Sequence, residues 1–256
     1  MKKIFITGAS RGIGRAIAVV YAERGYELFL CARNINLLEQ LKNDFAGKND
    51  NIHFSECDVS DLQQASKTLD LAIKTMGRID TAILNAGVGG SSSFRRFDLI
   101  ETRQIFEVNL FGVLNFFEGL IDHMREYGGG TIVGVSSMAD ARSFPEASAY
   151  CSSKSALTYL LDTARLELAP ENINVVTMKP GYVETDMTSR NDYFMPFLMD
   201  PYDYALKVVD KIEKGRKRIK VPWQTSVMTY FLRTMPDAIF ELLIKIADIS
   251  AKKKDE

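Results

Sequence analysis

Tyr150 and Lys154, in the stretch AYCSSK, stand four residues apart. On a helix that spacing puts a phenol and an ammonium on one face, a turn apart. Such a pair can pass a proton. A phenol ordinarily titrates near pH 10, and a cation beside it favours the phenolate; each pH unit of depression reflects about 1.4 kcal/mol. The spacing alone is a weak signal in a chain with 10 tyrosines. It gains weight from Ser137, which with Ser136 ends an apolar strand-like run 13 residues before Tyr150. It gains more from Asn109, inside a long helical pattern upstream.

A second chemical signal opens the chain. TGASRGIG, Thr7 to Gly14, lies between the apolar run Ile4-Phe5-Ile6 and the helical pattern Ala16-Ile17-x-x-Val20-Tyr21. A strand running into a helix leaves backbone N–H groups and the positive end of the helix dipole facing outward, a site for a diphosphate. Gly8, Gly12 and Gly14, with Ser10, Arg11 and Ile13 among them, allow a tight turn and close approach of a ligand to the main chain. The spacing is G-x-x-x-G-x-G. The next strand-like stretch, YELFLCAR, ends in Ala32-Arg33-Asn34 with no acid at its tip. A cofactor with a free ribose 2′-hydroxyl is usually met by Asp or Glu there. Arg33, joined by Arg11 from the glycine loop, suits a 2′-phosphate, which arginine grips through paired charge-assisted hydrogen bonds. The expected cofactor is NADP(H) rather than NAD(H).

These residues need a scaffold. Apolar, β-branched runs bounded by turn residues predict strands at 2–7, 26–32, 51–57, 79–85, 130–136, 172–178 and 218–222. Helical patterns lie near 12–24, 35–46, 61–76, 100–127, 150–169 and 202–214. Strand–helix alternation with no Pro/Ser-rich linker predicts one α/β domain, a doubly wound sheet, over 1–222. Runs such as Thr131-Ile-Val-Gly-Val135 are apolar continuously rather than alternately, as mostly parallel strands covered by helices on both faces should be.

In this set of motifs the chain resembles the short-chain dehydrogenase/reductase family from Lys2 to about Pro222. The resemblance rests on TGASRGIG, Asp58-Val59, Asn85-Ala86-Gly87, Asn109, Ser137, Tyr150, Lys154 and the run Pro180-Gly181-Tyr182-Val183-Glu184-Thr185. It implies a single-domain Rossmann fold with a seven-stranded sheet. It implies that Asp58 and Val59 hold adenine, that Asn85-Ala86-Gly87 lines the cofactor cleft, and that Thr185 with the backbone near Val183 anchors the nicotinamide carboxamide. Lys154 would also grip the nicotinamide ribose, and Asn109 would hold a water connecting Lys154 to solvent. The chemistry then reads directly. Reducing a carbonyl needs a hydride on carbon, which the cofactor supplies, and a proton on oxygen. Tyr150 would give the proton, and Ser137 would stabilise the charge developing on the oxygen. One position departs from the family: Asp140 stands where glycine is common, although the distance from Ser137 to Tyr150 is kept.

After Thr185, the run DMTSRNDYFMPFLMDP carries Met187, Tyr193, Phe194, Met195, Phe197, Leu198 and Met199 where the family has its substrate lid. Adaptable methionines beside aromatics suit a loosely shaped apolar ligand. Arg142, Phe144 and Glu146 are candidates for the opposite wall. The tail, 223–256, reads as an amphipathic helical extension packed on the same domain. Pro236-Asp237 marks a helix start, and Ile239, Phe240, Leu243, Ile246 and Ala247 form an apolar stripe. Upstream, KIEKGRKRIK carries six basic residues against one acidic. Basic charge beside such a helix can rest weakly on an anionic membrane surface; covering the substrate pocket or a subunit contact is the alternative.

The expected activity is NADPH-dependent reduction of an apolar ketone or aldehyde to the alcohol. The alternatives are alcohol or hydroxysteroid oxidation with NADP, and NADP(H) sensing without turnover. A net charge of −1 gives no reason to expect nucleic acid. With only His53 and His123, and no Cys/His pair at ligand spacing, no metal site is expected. Three cysteines, Cys31, Cys57 and Cys151, suit reduced thiols and a cytoplasmic setting. Lys2-Lys3 before Ile4-Phe5-Ile6 mimics a signal peptide, but the apolar run stops at Gly8. No stretch reaches about 18 uninterrupted apolar residues. The resemblance implies homo-oligomers through the helices at 100–127 and 150–169.

Overall fold

Ile4 and Ile6 point to one face of the first strand and Phe5 to the other, and all three are buried. A strand apolar on both faces needs cover on both. The computed structural model, which describes residues 1–90, 92–189 and 194–252, provides it. The strands β1 (Lys3–Thr7), β2 (Glu27–Ala32), β3 (Ile52–Glu56), β4 (Thr81–Leu84), β5 (Gly130–Val135), β6 (Ile173–Pro180) and β7 (Arg218–Val221) form one parallel sheet. Their order is β3-β2-β1-β4-β5-β6-β7. The expected doubly wound Rossmann architecture is the one observed.

Helices α1 (Gly12–Glu23) and α2 (Ile35–Asp44) cover the face bearing Ile4, Leu28 and Leu30, burying Ile17, Tyr21, Leu38 and Leu41 there. Helix α3 (Leu62–Met76) covers the face bearing Phe5 and Phe29, burying Ala65 and Leu69. Asp61 caps α3, accepting hydrogen bonds from the N–H groups of Gln63 and Gln64, and Gly77 ends it in a left-handed turn.

The pattern over 100–127 predicts one helix, but the chain divides it. It forms α4 (Leu99–Phe106), a π-helical turn over Glu107–Phe111, a short α5 (Gly112–Leu114) and α6 (Phe117–Glu126). Asn109 supplies a physical reason. Its side-chain amide accepts from the N–H of Val88 at 2.8 Å and donates to the Val88 carbonyl at 2.9 Å, on the loop after β4. That tie draws the backbone toward the end of the sheet and displaces the regular ladder. Asn115 donates to the Val59 carbonyl at 2.9 Å, just where the second break falls. Although 99–126 is long and apolar enough by composition to span a bilayer, it lies against the sheet and buries Val113, Phe116, Leu120 and Met124 in the core.

Helix α7 (Ser148–Leu168) follows β5, and α8 (Pro201–Glu213) follows β6. Asp200 caps α8 through the N–H groups of Tyr202 and Asp203. Beyond β7 come α9 (Trp223–Thr234) and α10 (Asp237–Lys252). The helix start at Pro236-Asp237 was legible; within the tail read as helical from 223, a separate α9 was not singled out, although Trp223, Val227, Tyr230 and Phe231 repeat at helical spacing. Arg142 fastens the tail. It donates to the carbonyls of Leu232 (3.1 Å) and Met235 (2.6 Å), pairs with Asp237 and stacks 4.1 Å from the centre of the Phe240 ring. All three cysteines are buried and free. His123 is a structural acceptor: its Nε2 takes the N–H of Ile79 at 3.0 Å, and burial lowers its pKa, keeping it neutral.

Candidate active site

Strand order reverses between β1 and β4, so the loops leaving these two strands part at their C-terminal ends and open a crevice. The glycine loop borders one side. Gly8 and Gly12 adopt φ of +66° and +56°, the left-handed region. A Cβ on Gly14 would sit 2.3 Å from the Gly8 carbonyl oxygen and 2.4 Å from Asn85 Nδ2, so nothing larger fits. A Cβ on Gly8 would lie 2.8 Å from Ala86 Cα, which sets the loop directly against the segment after β4. Thr7 stitches the two together: its hydroxyl accepts the N–H groups of Asn85 (3.0 Å) and Ala86 (3.1 Å). Asn85 in turn donates to the carbonyls of Thr7 and Gly8. Ser10 is buried inside the loop, while Ile13, half-buried, packs on the core. The result is a backbone cradle at the start of α1 whose shape suits a diphosphate.

On the far side, Gly87 lies beneath two site atoms. A Cβ there would be 3.2 Å from Asn109 Oδ1 and 3.3 Å from Lys154 Nζ, so both atoms border one point. Asn109 is 0% exposed, and besides Val88 it donates to Ser153 Oγ at 3.2 Å. Lys154 is 3% exposed and donates to the Val135 carbonyl at 2.8 Å. Burial lowers its pKa from 10.5 to about 8. Its nitrogen stands 5.9 Å from the centre of the half-buried Tyr150 ring, one helical turn away on α7. Ser137, at the end of β5, accepts the N–H of Ala139 and so caps a tight turn at Met138–Asp140. Ser136 points the other way: its hydroxyl donates to the Lys154 carbonyl at 2.9 Å and lies 2.7 Å from Thr158 Oγ1.

The profile of the family described as short chain dehydrogenase matches residues 2–194. The chain belongs to the short-chain dehydrogenase/reductase family. A Myxococcus xanthus protein described as an uncharacterized oxidoreductase is 30% identical over 237 residues, covering 92% of this chain and 93% of its own. An alcohol dehydrogenase from Thermococcus sibiricus, solved with 5-hydroxy-NADP, superposes with a TM-score of 0.77 at 28% identity, covering 86% of this chain and 94% of its own. A 7α-hydroxysteroid dehydrogenase solved with NADH and 7-oxo-glycochenodeoxycholic acid gives 0.79 at 25% identity, over 86% and 92%. This short-chain dehydrogenase is therefore an oxidoreductase that uses a nicotinamide nucleotide. The glycine cradle fits such a group, since each close approach there is one that a side chain would block.

Within this dehydrogenase, the segment after β6 crosses to the glycine loop. The Thr185 methyl lies 3.2 Å from where a Gly12 Cβ would be. Pro180 ends β6, and the Gly181 N–H donates to the Val221 carbonyl at 2.9 Å. Val183 forms a parallel bridge with Met199, closing the base of the lid. Met187 lies against Gly89, so the lid reaches the loop after β4, whereas Phe194, Phe197 and Leu198 are exposed. Tyr193 lies outside the described residues.

The two arginines are not brought together on one partner. Arg33 faces Asp58 at 4.0 Å, and Arg11 pairs with Asp186 at 3.0 Å, both pairs at the surface. Asp58 also accepts the Ser60 N–H and hydroxyl, which fixes the loop leading to the buried Val59. Thr7, Ser136 and Ser153 were missed as supports in the sequence. The only signal there was a hydroxyl residue beside each expected site residue.

Proposed function

We propose that this protein reduces an apolar ketone or aldehyde to the alcohol with NADPH, reversibly, with Tyr150 as acid and base. The observation that carries the reading is the buried Lys154 ammonium, a turn from the Tyr150 phenol and beside Gly87. With a pKa of about 8, Lys154 is still a cation at neutral pH. In a site shielded from water its field favours the phenolate and so makes the phenol a stronger acid. Tyr150 gives its proton to the substrate oxygen. Ser137 donates a hydrogen bond to the same oxygen as charge builds there. Asn109, held rigid by Val88, positions a water that returns the proton by way of Lys154. The bound nucleotide supplies the hydride.

Gly8, Ser10, Gly12, Ile13 and Gly14 cradle its diphosphate, and Asp58 and Val59 hold adenine. Asn85, Ala86 and Gly87 line the cleft; Pro180, Gly181, Val183 and Thr185 take the nicotinamide end. Arg33 and Arg11 flank the ribose, and their guanidinium side chains, 62% and 58% exposed, are open to a 2′-phosphate. The tail walls the substrate site, its Phe240 packing against Phe144 and Arg142 of the segment after β5. Exposed Leu99 and Ile100 on α4, with Tyr159 and Leu166 on α7, favour a homo-oligomer. The likeness to a hydroxysteroid dehydrogenase supports a second reading, oxidation of a bulky alcohol by the same residues.

The test is a panel of aldehydes and ketones followed by loss of NADPH absorbance, with NADH as control. NADPH should be preferred, and Arg33→Ala should shrink the preference about 10-fold, the worth of one charge-assisted hydrogen bond. Equal rates with both nucleotides contradict the preference. No turnover across the panel, in either direction, contradicts the activity.

A further inference from the structure

Asp140 is a carboxylate where a neutral surface loop would do, and its surroundings are nearly dry. The side chains of Asp140 and Lys179 are 8% and 11% exposed and form an ion pair. Burying two charges costs solvation that their attraction only partly returns, so such a pair is weak evidence of a stabilising role. Its connections are more informative. Asp140 Oδ2 accepts from the Lys179 ammonium, at the end of β6, and from the Thr158 hydroxyl, on α7, at 2.7 Å. Thr158 Oγ1 lies 2.7 Å from Ser136 Oγ, which donates to the Lys154 carbonyl. The Asp140 carbonyl accepts from Ser155 Oγ at 3.2 Å. Asp140 itself belongs to the turn that Ser137 caps. Lys220 on β7 is a further cation near this carboxylate.

Three elements carry the reacting groups: the Ser137 turn, helix α7 with Tyr150 and Lys154, and the end of β6 that leads to Val183 and Thr185. One carboxylate oxygen ties all three. We infer that Asp140 is a positioning residue of the reaction, setting the Ser137 hydroxyl against the Tyr150 phenol through its bonds to Thr158 and Lys179. This rests on the carbonyl-reduction reading. Misplacing a reacting group by about 1 Å costs on the order of 100-fold in rate, while a nucleotide held mainly by the glycine loop is indifferent to it.

Asp140→Ala alone strands the Lys179 cation and risks misfolding, so it is paired with Asp140→Ala/Lys179→Met, which removes both charges. Turnover of one aldehyde, NADPH affinity by fluorescence titration, thermal unfolding and amide exchange at Ala139, whose N–H rests on Ser137 Oγ, are measured on both and on the parent. The double variant should fold, keep NADPH affinity within about 2-fold, exchange Ala139 faster, and lose about 100-fold in kcat. Asp140→Glu, which keeps the charge on an arm one methylene longer, should recover part of that loss. A double variant with parental kcat and parental exchange at Ala139 overturns the inference, as does kcat falling only in step with nucleotide affinity. A parent that turns over no carbonyl overturns the activity instead, and the exchange and titration data still report on the turn.

Discussion

Tyr150→Phe protein is expected to bind NADPH as the parent does and to reduce carbonyls about 10²- to 10⁴-fold more slowly, the usual worth of a positioned general acid. The substitution removes one oxygen from a half-buried ring and leaves the ring itself. The Lys154–Val135 bond and the Asn109–Val88 clasp do not involve that oxygen. Folding and the nucleotide cradle should therefore survive, and the loss should fall in kcat. Stopped-flow turnover together with fluorescence titration separates the two. A variant that keeps the parental kcat removes the phenol from the mechanism. A variant that loses turnover but keeps nucleotide binding also rejects the sensor reading, provided the biological output is lost with it.

Lys154→Met should do the opposite to stability and the same to activity. The folded chain holds the Lys154 proton less tightly than the unfolded chain, because the pKa falls from 10.5 to about 8 on burial. Stability is therefore lost as pH falls through that window, and the penalty is fully present below about 8. The gap corresponds to about 3 kcal/mol. Methionine fills similar space without charge but gives up the bond to the Val135 carbonyl, worth about 1 kcal/mol. The variant should be more stable than the parent by about 2 kcal/mol at pH 7, which is several degrees in Tm for a chain of this size. The gain should vanish as pH approaches 10.5, where the folded lysine is neutral and the unfolded one is already half deprotonated. Turnover should fall at least about 100-fold, because the phenol loses the field that makes it acidic. In the parent, reduction should slow above about pH 8, with an apparent pKa belonging to the Tyr150–Lys154 pair rather than to either group. Thermal unfolding without nucleotide, from pH 7 to 10.5, is the measurement. A variant less stable than the parent at pH 7, or as active, contradicts the account.

The sheet was legible because a parallel strand covered on both faces leaves an unmistakable apolar run, as Ile4-Phe5-Ile6 and Thr81-Ala-Ile-Leu84 do. Asn109, Ser137, Tyr150 and Lys154 were singled out through the family resemblance rather than from spacing, and the fold places Asn109 and Lys154 on either side of Gly87. What the sequence hid depends on partners far along the chain. The π-helical turn exists because Asn109 clasps Val88, and no local pattern around Asn109 announces that. Asp140 read only as a departure from the family pattern; Lys179, 39 residues later, gives it a partner. Arg11 and Arg33 looked like one cluster and instead face Asp186 and Asp58. Helix α9 had an apolar stripe but no capping residue, as Pro222 has no side-chain hydrogen bond to offer.

Hydride transfer to a carbonyl carbon, with Tyr150 protonating the oxygen, leaves an isotopic trace in the product. NADPH carrying deuterium on one face of C4, and separately on the other, is incubated with an accepted aldehyde or ketone. One of the two should give an alcohol deuterated at the carbinol carbon, and Tyr150→Phe should all but abolish its formation. An alcohol without label from either nucleotide, or labelled at the parental rate by the phenylalanine variant, contradicts this mechanism.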